Sequence, residues 1–265
     1  MVSGAAPVPQ GPGRHTDAFT AVHGKDAMKP SACLCIDLPL TDYREALGLQ
    51  REITAARKEN RLDADVILSL EHPPVFTLGR NGGRENLVVS EDFLHRMKVD
   101  MVQIERGGNI TYHGPGQLVV YPILNLNAAR LGIRDYVGRL ELAMIRTAAD
   151  WGVEAVGHPK NRGVWVDGRK LGSIGVSVTH GICFHGLAMN IGTDLAPFDW
   201  INPCGLHGIR MTSLEKELKR EIPMDRVRHA LKHHLLSVLN IMCTDADMTS
   251  LRNRIRPRTT PKERF

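Results

Sequence analysis

The sequence predicts an α+β protein in which mixed β-sheets are flanked by helices. Strand-like and helix-like segments interleave along the chain, but without the regular alternation that builds a parallel doubly wound sheet. A G-x-G-x-x-G dinucleotide motif is also absent. The chain has 265 residues, of which 42% are hydrophobic and 24% charged. This composition is that of a globular protein with a sizeable core.

The predicted elements of the first half follow from apolar periodicity and from turn residues. Tyr43, Leu47 and Ile53 recur at roughly helical spacing after Thr41, which we expect to be the N-cap. Pro73 and Pro74 separate two strands. The predicted elements are a strand at 32–38, a helix at 41–60, strands on either side of the two prolines, and strands at 99–108 and 116–126.

The second half begins with a predicted helix at 133–152, which Gly152 ends. A β-rich run covers 162–191, and within it Asp167-Gly168 is a strong hairpin signal. A second long amphipathic helix is predicted at 224–243.

These elements suggest a single folded domain between two different ends. Residues 1–30 are rich in Gly, Pro, Ala and Ser, and we expect a disordered extension in which Met28 is an alternative start. Residues 31–245 are predicted to form one folded domain. Residues 246–265 are predicted to be a basic, solvated tail.

The overall charge and the cysteine content limit the classes of protein. The net charge of +5 and the isoelectric point of about 9.0 are compatible with nucleic acid, anionic lipid or an acidic protein as partner. The sequence shows neither an apolar run long enough to span a membrane nor a signal peptide. Five irregularly spaced cysteines argue against a disulfide framework and favour the reducing cytoplasm.

The densest cluster of functional residues is ERGGNITYHGPGQLVVYP at 105–122. Arg106 precedes Gly107 and Gly108, whose lack of a side chain lets backbone approach a ligand closely. His113 stands before a Gly-Pro-Gly turn. Taken alone, this motif is more often a tight turn with an exposed histidine. It is not a phosphate loop, because the Walker pattern is absent.

Two further clusters combine a polar residue with glycines inside strand patterns. Lys170 lies in GRKLGSIGV at 168–176, and His185 lies in FHGLAMNI at 184–191. Glycine within a strand often marks close approach by a ligand or by another backbone. On their own, Lys170 would be a surface lysine and His185 a structural histidine with satisfied hydrogen bonds.

One cysteine differs from the other four. Cys33 and Cys35 lie in an apolar strand, Cys183 lies between Ile182 and Phe184, and Cys243 ends the second predicted long helix, so all four fit buried, inert roles. Cys204 lies between Pro203 and Gly205, in a loop-like setting where functional groups collect. A working thiol needs a nearby cation, for which Lys170 and His113 are the candidates.

A metal site is not predicted from the sequence. His229 and His233 lie one helical turn apart, but no carboxylate completes a zincin pattern. Basic residues surround both histidines, which favours a solvated helix face.

Together, these segments resemble the octanoyltransferases of lipoate biosynthesis. The resemblance rests on DLPLTDYREALGLQ, LSLEHPPVFTLGR, RGGNITYHGPGQLVVYPILNL, GRKLGSIGV, THGICFHGLAMNI and FDWINPCG, in this order. It covers about residues 33–240. It implies the α+β catalytic fold shared by biotin and lipoate protein ligases, and an acyltransferase that needs neither cofactor nor metal.

The resemblance also implies roles and partners. Cys204 matches the acyl-thioester nucleophile, and Lys170 matches the lysine that lowers its pKa. The implied donor is octanoyl-acyl carrier protein, and the acceptors are lipoyl domains of 2-oxoacid dehydrogenases and the glycine cleavage H protein. We expect a monomer that binds neither nucleic acid nor membrane. The matching substrate-binding residues are Arg106, Gly107, Gly108, Asn109, Ile110, Thr111, Tyr112, His113, Ser173, Ile174, Gly175, Gly186, Leu187 and Ala188.

Two alternative functions are weaker. An ATP-dependent lipoate ligase of the same fold would need no cysteine and usually has a glycine triplet followed by Ala-Val-Tyr-His-Asp, which RGGNITYHGPGQ does not match. A basic RNA-binding module would be expected to place aromatic residues within basic clusters. The four tyrosines, six phenylalanines and three tryptophans do not follow that pattern.

Overall fold

A computed structural model describes residues 32–202 and 209–256. The elements of the first half agree with the predicted order, with additions. They are β1 (Ala32–Leu40), α1 (Tyr43–Lys58), β2 (Asp65–Glu71), β3 (Val75–Leu78), α2 (Glu91–Arg96), β4 (Asp100–Gln103), β5 (Ile110–His113) and β6 (Gln117–Asn125).

The second half contributes a long antiparallel pair of strands and the larger share of the helices. Its elements are α3 (Ile133–Asp150), β7 (Val156–Gly157), β8 (Val164–Val166), β9 (Arg169–Thr179), β10 (Ile182–Asn190), β11 (Arg210–Met211), α4 (Leu214–Leu218), α5 (Met224–Leu239), β12 (Met242–Asp245) and α6 (Met248–Ile255).

Within the described residues, the strands form two mixed sheets. The large sheet has the order β12-β1-β2-β6-β10-β9-β8-β7, and β11 pairs with β9 as a branch. Its first pairs, β12 with β1 and β1 with β2, are parallel, whereas the path from β2 to β7 is antiparallel. The small sheet has the order β4-β3-β5. The α+β prediction is therefore confirmed.

The large sheet is covered on both faces, because apolar side chains alternate along its strands. Ile36 of β1 and Leu68 of β2 pack with Ile53 of α1 on one face, where α6 also lies. On the other face, Leu140 of α3 and Leu235 of α5 pack with sheet residues that include Cys33 and Cys35. The small sheet has a separate aromatic cluster around Phe76 and Tyr112.

The predicted hairpin is confirmed. Asp167 and Gly168 join β8 to β9 with positive φ angles of 45° and 74°, as a tight two-residue turn between strands requires. This turn sets the register that places Lys170 opposite Trp165 on β8.

Three boundary predictions were wrong. Asp42, not Thr41, is the N-cap of α1, because its carboxylate accepts hydrogen bonds from the backbone N–H groups of Arg44 and Glu45. The helix predicted to reach residue 243 ends at Leu239, where Asn240 turns left-handed, and Cys243 lies on β12. Residues 248–255, expected to be in the solvated tail, form α6.

Helix α6 packs on the core rather than extending into solvent. Leu251 and Ile255 are buried on the face of the sheet that α1 also covers. The backbone N–H of Ala246, just before α6, donates to the Cys35 carbonyl. Residues 246–256 therefore belong to the folded body of the protein.

The cysteine prediction also needs correction, because Cys35 and Cys243 form a disulfide. Parallel pairing of β1 with β12 brings their Cα atoms to 6.0 Å, within the range that a disulfide spans. Their sequence separation of 208 residues and the assignment of Cys243 to a helix concealed this contact. Cys183 and Cys33 are buried free thiols, as expected.

In the described part of the chain, no helix combines the length and the apolar character needed to cross a membrane.

Candidate active site

A cavity of about 530 Å³ lies where β6, β9 and β10 of the large sheet meet the segment before β5. It is lined by residues of all three sequence clusters that were predicted to be functional. These are Arg106, Gly107, Gly108, Asn109, Ile110, Thr111, His113, Lys170, Ser173, Ile174, Gly175, Gly186, Leu187 and Ala188. The fold thus brings segments up to about 80 residues apart around one space.

Arg106 is buried at the base of the segment that enters β5. Its Nη2 donates to both the carbonyl and the hydroxyl oxygen of Thr77, each at 2.8 Å. Its Nη1 donates to the carbonyl of Gly107 at 3.1 Å, and the Gly107 N–H donates to Val176 of β9 at 2.9 Å. These bonds tie the Arg-Gly-Gly segment to both sheets and fix one wall of the cavity.

At the glycines of β9 and β10, other parts of the protein occupy the space that a side chain would need. A Cβ on Gly175 would lie 2.6 Å from Arg106 Cδ, and a Cβ on Gly186 would lie 2.2 Å from the Val120 carbonyl oxygen. Gly175 and Gly186 are directly paired across β9 and β10. Of the two explanations for a glycine within a strand, close approach by another part of the chain applies at these positions.

His113 is buried, and not the exposed turn residue that its motif suggests in isolation. Its Nδ1 donates to the amide oxygen of Gln117 at 2.7 Å, which fixes both the tautomer and the amide orientation. The Gln117 amide nitrogen donates to Asn190, whose own amide nitrogen donates to the carbonyl of Thr212, both at 2.9 Å. Burial, reinforced by His72 nearby, lowers the pKa of His113 to about 3.

A second polar group lies behind His113. His72 donates from Nδ1 to the Thr41 carbonyl and accepts at Nε2 from the Tyr121 hydroxyl, both at 2.7 Å. The Tyr43 ring stacks on His113 with centroids 5.7 Å apart. Burial lowers the pKa of His72 to about 4, so both histidines are neutral near pH 7.

His185 differs from the other two histidines. It is buried, yet neither ring nitrogen has a hydrogen-bond partner among the described residues. Its φ of 58° is left-handed in the middle of β10, a strained conformation for a residue with a side chain. Burial lowers its pKa to about 4, although Glu105, 3.9 Å from Nε2, opposes the shift. The expectation of satisfied hydrogen bonds at His185 was therefore wrong.

Lys170 is buried on β9, although a lysine just after a hairpin turn is more often exposed. Its Nζ lies 5.3 Å from the centre of the Trp165 ring, which allows a cation–π contact. Gly163 makes room for the side chain, because a Cβ there would lie 2.9 Å from Lys170 Cε. The Gly163 N–H donates to the buried Glu141 carboxylate at 2.8 Å.

Cys204, the predicted nucleophile, lies outside the described residues, but the chain on both sides of it is described. Before it, Ile201 forms a bridge with Leu87, and the Asn202 N–H donates to the Asn86 carbonyl at 2.8 Å. After it, β11 runs parallel to β9 with Met211 paired to Lys170. The described chain therefore resumes at residue 209 and pairs with β9 beside Lys170.

Sequence and structure differ over which residues line the cavity. Tyr112 was predicted to contact substrate, but its ring packs against Phe76 and Phe198. Conversely, Tyr43 and Tyr121 line the cavity but were not predicted to, because each belongs to an apolar pattern that is typical of a buried core. Further lining residues that were not predicted are Arg80, Val119, Ile133, Val137, Lys160, Asn161, Arg162, Val176 and His185.

The fold and the cavity together define the class of protein. Lipoate-protein ligase A bound with ATP has the same fold, with a TM-score of 0.68, 16% identity, and coverage of 86% of this chain and 92% of the ligase. The bipartite lipoate protein ligase of Thermoplasma acidophilum superposes with a TM-score of 0.66, 16% identity, and coverage of 86% and 91%. The catalytic fold is therefore that of the lipoate protein ligases.

Sequence comparison identifies the family. The lipoyl protein ligase A/B catalytic domain matches residues 42–236. The octanoyltransferase of Desulfotalea psychrophila is 49% identical over 206 residues, 77% of this chain and 91% of that protein. The octanoyltransferase of Bacteroides thetaiotaomicron is 44% identical over 214 residues, 77% and 94% of the two chains. The chain belongs to the lipoyl protein ligase A/B family and is an acyltransferase, so the predicted resemblance is confirmed.

Proposed function

We propose that this protein transfers an octanoyl group from octanoyl-acyl carrier protein to a specific lysine of lipoyl domains, through a thioester on Cys204. The acceptors would be the lipoyl domains of 2-oxoacid dehydrogenases and the glycine cleavage H protein. The observation that carries the proposal is the cavity that the three motifs share, with the buried Lys170 in its wall. The octanoyltransferases among the relatives support the same acyl group.

The cavity suits an acyl chain. Leu187 and Ala188 of β10, Val119 of β6 and Val137 of α3 present apolar surface to it. Each methylene that leaves water there contributes about 0.8 kcal/mol, so an eight-carbon chain gains several kcal/mol. A volume of about 530 Å³ is within the range of small-molecule sites.

The chemistry would proceed in two steps. The Cys204 thiolate attacks the carbonyl carbon of the donor thioester, the new C–S bond forms, and the carrier thiolate leaves. The lysine amine of the lipoyl domain then attacks the enzyme thioester, the amide forms, and the Cys204 thiolate leaves. A proton passes from the attacking amine to a base. The donor is already activated, so neither step needs ATP.

Lys170 would serve the thiol in the first step. A cationic amine beside Cys204 lowers the pKa of the thiol and raises its reactive fraction near neutral pH. The pairing of Met211 with Lys170 supports this role, because it places a residue seven positions after Cys204 next to Lys170. In the second step, the neutral amine of Lys170 could accept the proton of the acceptor lysine.

The surface beside β11 suits an acidic carrier protein. Arg210, Lys216 and Lys219 are exposed and line a groove of about 750 Å³ beside β11, in which basic residues outnumber the acidic Asp199 and Glu217. Positive charge at that position would steer an acidic donor toward the chain that leads to Cys204. A free thiol nucleophile also fits the reducing cytoplasm.

The test is incubation with octanoyl-acyl carrier protein in the absence of ATP, followed by intact mass spectrometry. We expect the wild type and Cys183→Ala to gain one octanoyl group, whereas Cys204→Ala gains none. Cys183 is the matched control because it is a buried free thiol. Addition of an apo-lipoyl domain should release the acyl group as an amide. Transfer that depends wholly on ATP, or acylation of Cys204→Ala, would contradict the proposal.

A further inference from the structure

Three sulfur atoms lie together at the edge of the large sheet, in a part of the fold that the acyl-transfer chemistry does not use. Cys33 and Cys35 alternate along β1, so both point to the α5 face, and Cys243 of β12 is paired with Cys33. The three Sγ atoms lie within 4.8 Å of one another. Each sulfur comes from a strand in a regular ladder, so the backbone of the cluster is fixed.

This spacing is close to what a metal ion needs. Zn²⁺ binds thiolates at about 2.3 Å in tetrahedral geometry, which corresponds to about 3.8 Å between sulfurs. Small side-chain rotations would bring Cys33 into that range once the Cys35–Cys243 disulfide is reduced. Thiolates are soft ligands that select thiophilic ions over Mg²⁺ or Ca²⁺.

The site also has an entry path. Cys33 and Cys35 are buried, but Cys243 is only partly buried, on the last strand of the sheet. Lys232 of α5 contacts Asp245, which is paired with Cys35 and lies on the same face as the sulfurs. An ion can therefore reach the sulfurs from the β12 edge, where water can fill its fourth position.

We propose that Cys33, Cys35 and Cys243 bind one thiophilic divalent ion such as Zn²⁺ in the reduced protein, and that oxidation of Cys35 and Cys243 releases it. In the oxidation, the two metal-bound thiolates of Cys35 and Cys243 give up two electrons and form the S–S bond. A small-molecule disulfide such as oxidised glutathione accepts the two electrons, takes up two protons from water and becomes two thiols. The ion leaves because Cys33 is then the one cysteine of the three that is not in the disulfide, and without the ion burial raises the pKa of its thiol to about 12.

Both states hold the same contact between distant parts of the chain. The disulfide joins β1 to β12 covalently, and the ion would join the same strands by coordination. The C-terminal segment, β12 with α6, is therefore fastened to the sheet in either redox state. The proposal is independent of the acyl-transfer proposal, since none of the three sulfurs lines the cavity.

The test uses the full chain carrying Cys204→Ala, so that this thiol cannot contribute. The protein is reduced, freed of reductant without oxygen, and titrated with Co²⁺ as a spectroscopic probe. We expect intense sulfur-to-cobalt charge-transfer absorption that saturates at one ion per chain and that Zn²⁺ displaces. Oxidised glutathione should abolish the absorption, and renewed reduction should restore it.

Variants separate the proposal from adventitious binding. Cys33→Ser and Cys243→Ser, each in the same background, should lose most of the absorption and weaken Zn²⁺ binding by at least tenfold. Cys183→Ser, which removes a buried thiol elsewhere, should titrate like its parent. Cys243→Ser lies on the exposed edge, so it tests the site even where Cys33→Ser fails to fold. Absence of charge-transfer absorption in the reduced parent, or undiminished binding by Cys243→Ser, would overturn the proposal.

Discussion

Two regions of the large sheet are built from different residues. Around β9 and β10, inside the sheet, paired glycines and buried polar groups surround a cavity, and His185 has ring nitrogens without hydrogen-bond partners among the described residues. At β1 and β12, on one edge, the sulfurs of three cysteines pack against aliphatic side chains of α5, and a covalent bond joins the two strands. The first region tolerates strain and desolvated polar atoms, both of which cost stability. The second region adds stability.

This difference teaches that function and stability are separated along one continuous sheet. Substitutions at the cavity should change rates or proton binding, whereas substitutions at the thiol edge should change the free energy of unfolding. Each of the following experiments tests whether the two regions affect rates and stability separately.

The largest effect is expected at Lys170. Lys170→Met should lower overall octanoyl transfer at pH 7 by about 10²- to 10⁴-fold, because it removes the general base of the second step. The rate of Cys204 acylation alone should fall by up to about 30-fold, because an unperturbed thiol with a pKa of about 8.5 is only about 3% ionised at pH 7, and it should recover as pH rises toward that value. Lys170→Arg keeps the cation but is too basic to accept a proton, so it should acylate and then stall before transfer. The measurement is single-turnover acylation by quenched mass spectrometry across pH.

Lys58→Met is the control for this experiment. Lys58 is an exposed lysine in the last turn of α1, so its loss changes net charge equally without touching the cavity. It should keep the wild-type pH profile. A wild-type profile in Lys170→Met would instead exclude Lys170 as the activating cation. His113, the other cation considered from the sequence, could not take its place, because burial lowers its pKa to about 3 and keeps it neutral near pH 7.

The next effect is expected at the thiol edge. Reduction of the Cys35–Cys243 disulfide, with a chelator present, should lower the free energy of unfolding by about 3 kcal/mol, because it frees a loop of more than 200 residues in the unfolded chain. The acylation rate of the folded protein should not change. Denaturant unfolding with and without reductant measures the difference.

Cys243→Ser has no such disulfide to lose, so reductant should leave its unfolding curve unchanged. If the wild-type curve were equally insensitive to reductant, the disulfide would not stabilise the fold. If reduction instead slowed acylation, the thiol edge and the cavity would be coupled.

The smallest effect is expected from a single buried histidine, through the response of stability to pH. His72, His113 and His185 have pKa values lowered to about 4, 3 and 4, mainly by burial, whereas unfolded histidines titrate near 6.5. The unfolded chain therefore takes up protons first, and stability falls as pH drops below 6.5. Each histidine costs up to about 1.4 kcal/mol per pH unit, and none contributes above that range.

His185→Gln should remove one proton from this slope, measured by urea unfolding between pH 7 and 5. His95→Gln removes an exposed histidine of α2 and serves as the control, with the slope expected to stay as in the wild type. An unchanged slope in His185→Gln would show that His185 is not held neutral in the folded protein.

Local signals made part of this architecture predictable. Asp167 and Gly168 specify their turn by themselves, and the glycine-rich motifs identified the segments around the cavity. The disulfide was not predictable, because the pairing of β12 with β1 depends on residues about 200 positions apart. Helical periodicity also continues past Asn240 in the sequence, which assigned Cys243 to a helix. The lack of hydrogen-bond partners for His185 among residues 32–202 and 209–256 depends on what surrounds its ring, which strand periodicity does not reveal.

The facing glycines of β9 and β10 have a consequence for how this gene can change. Any codon change that replaces Gly175 or Gly186 adds a Cβ, and that atom would meet the Arg106 side chain in one case and the Val120 carbonyl in the other. The Arg106 side chain or the Val120 backbone must move before the fold can accept either replacement. This part of the protein should therefore diverge by coordinated pairs of substitutions, and single substitutions there should be purged.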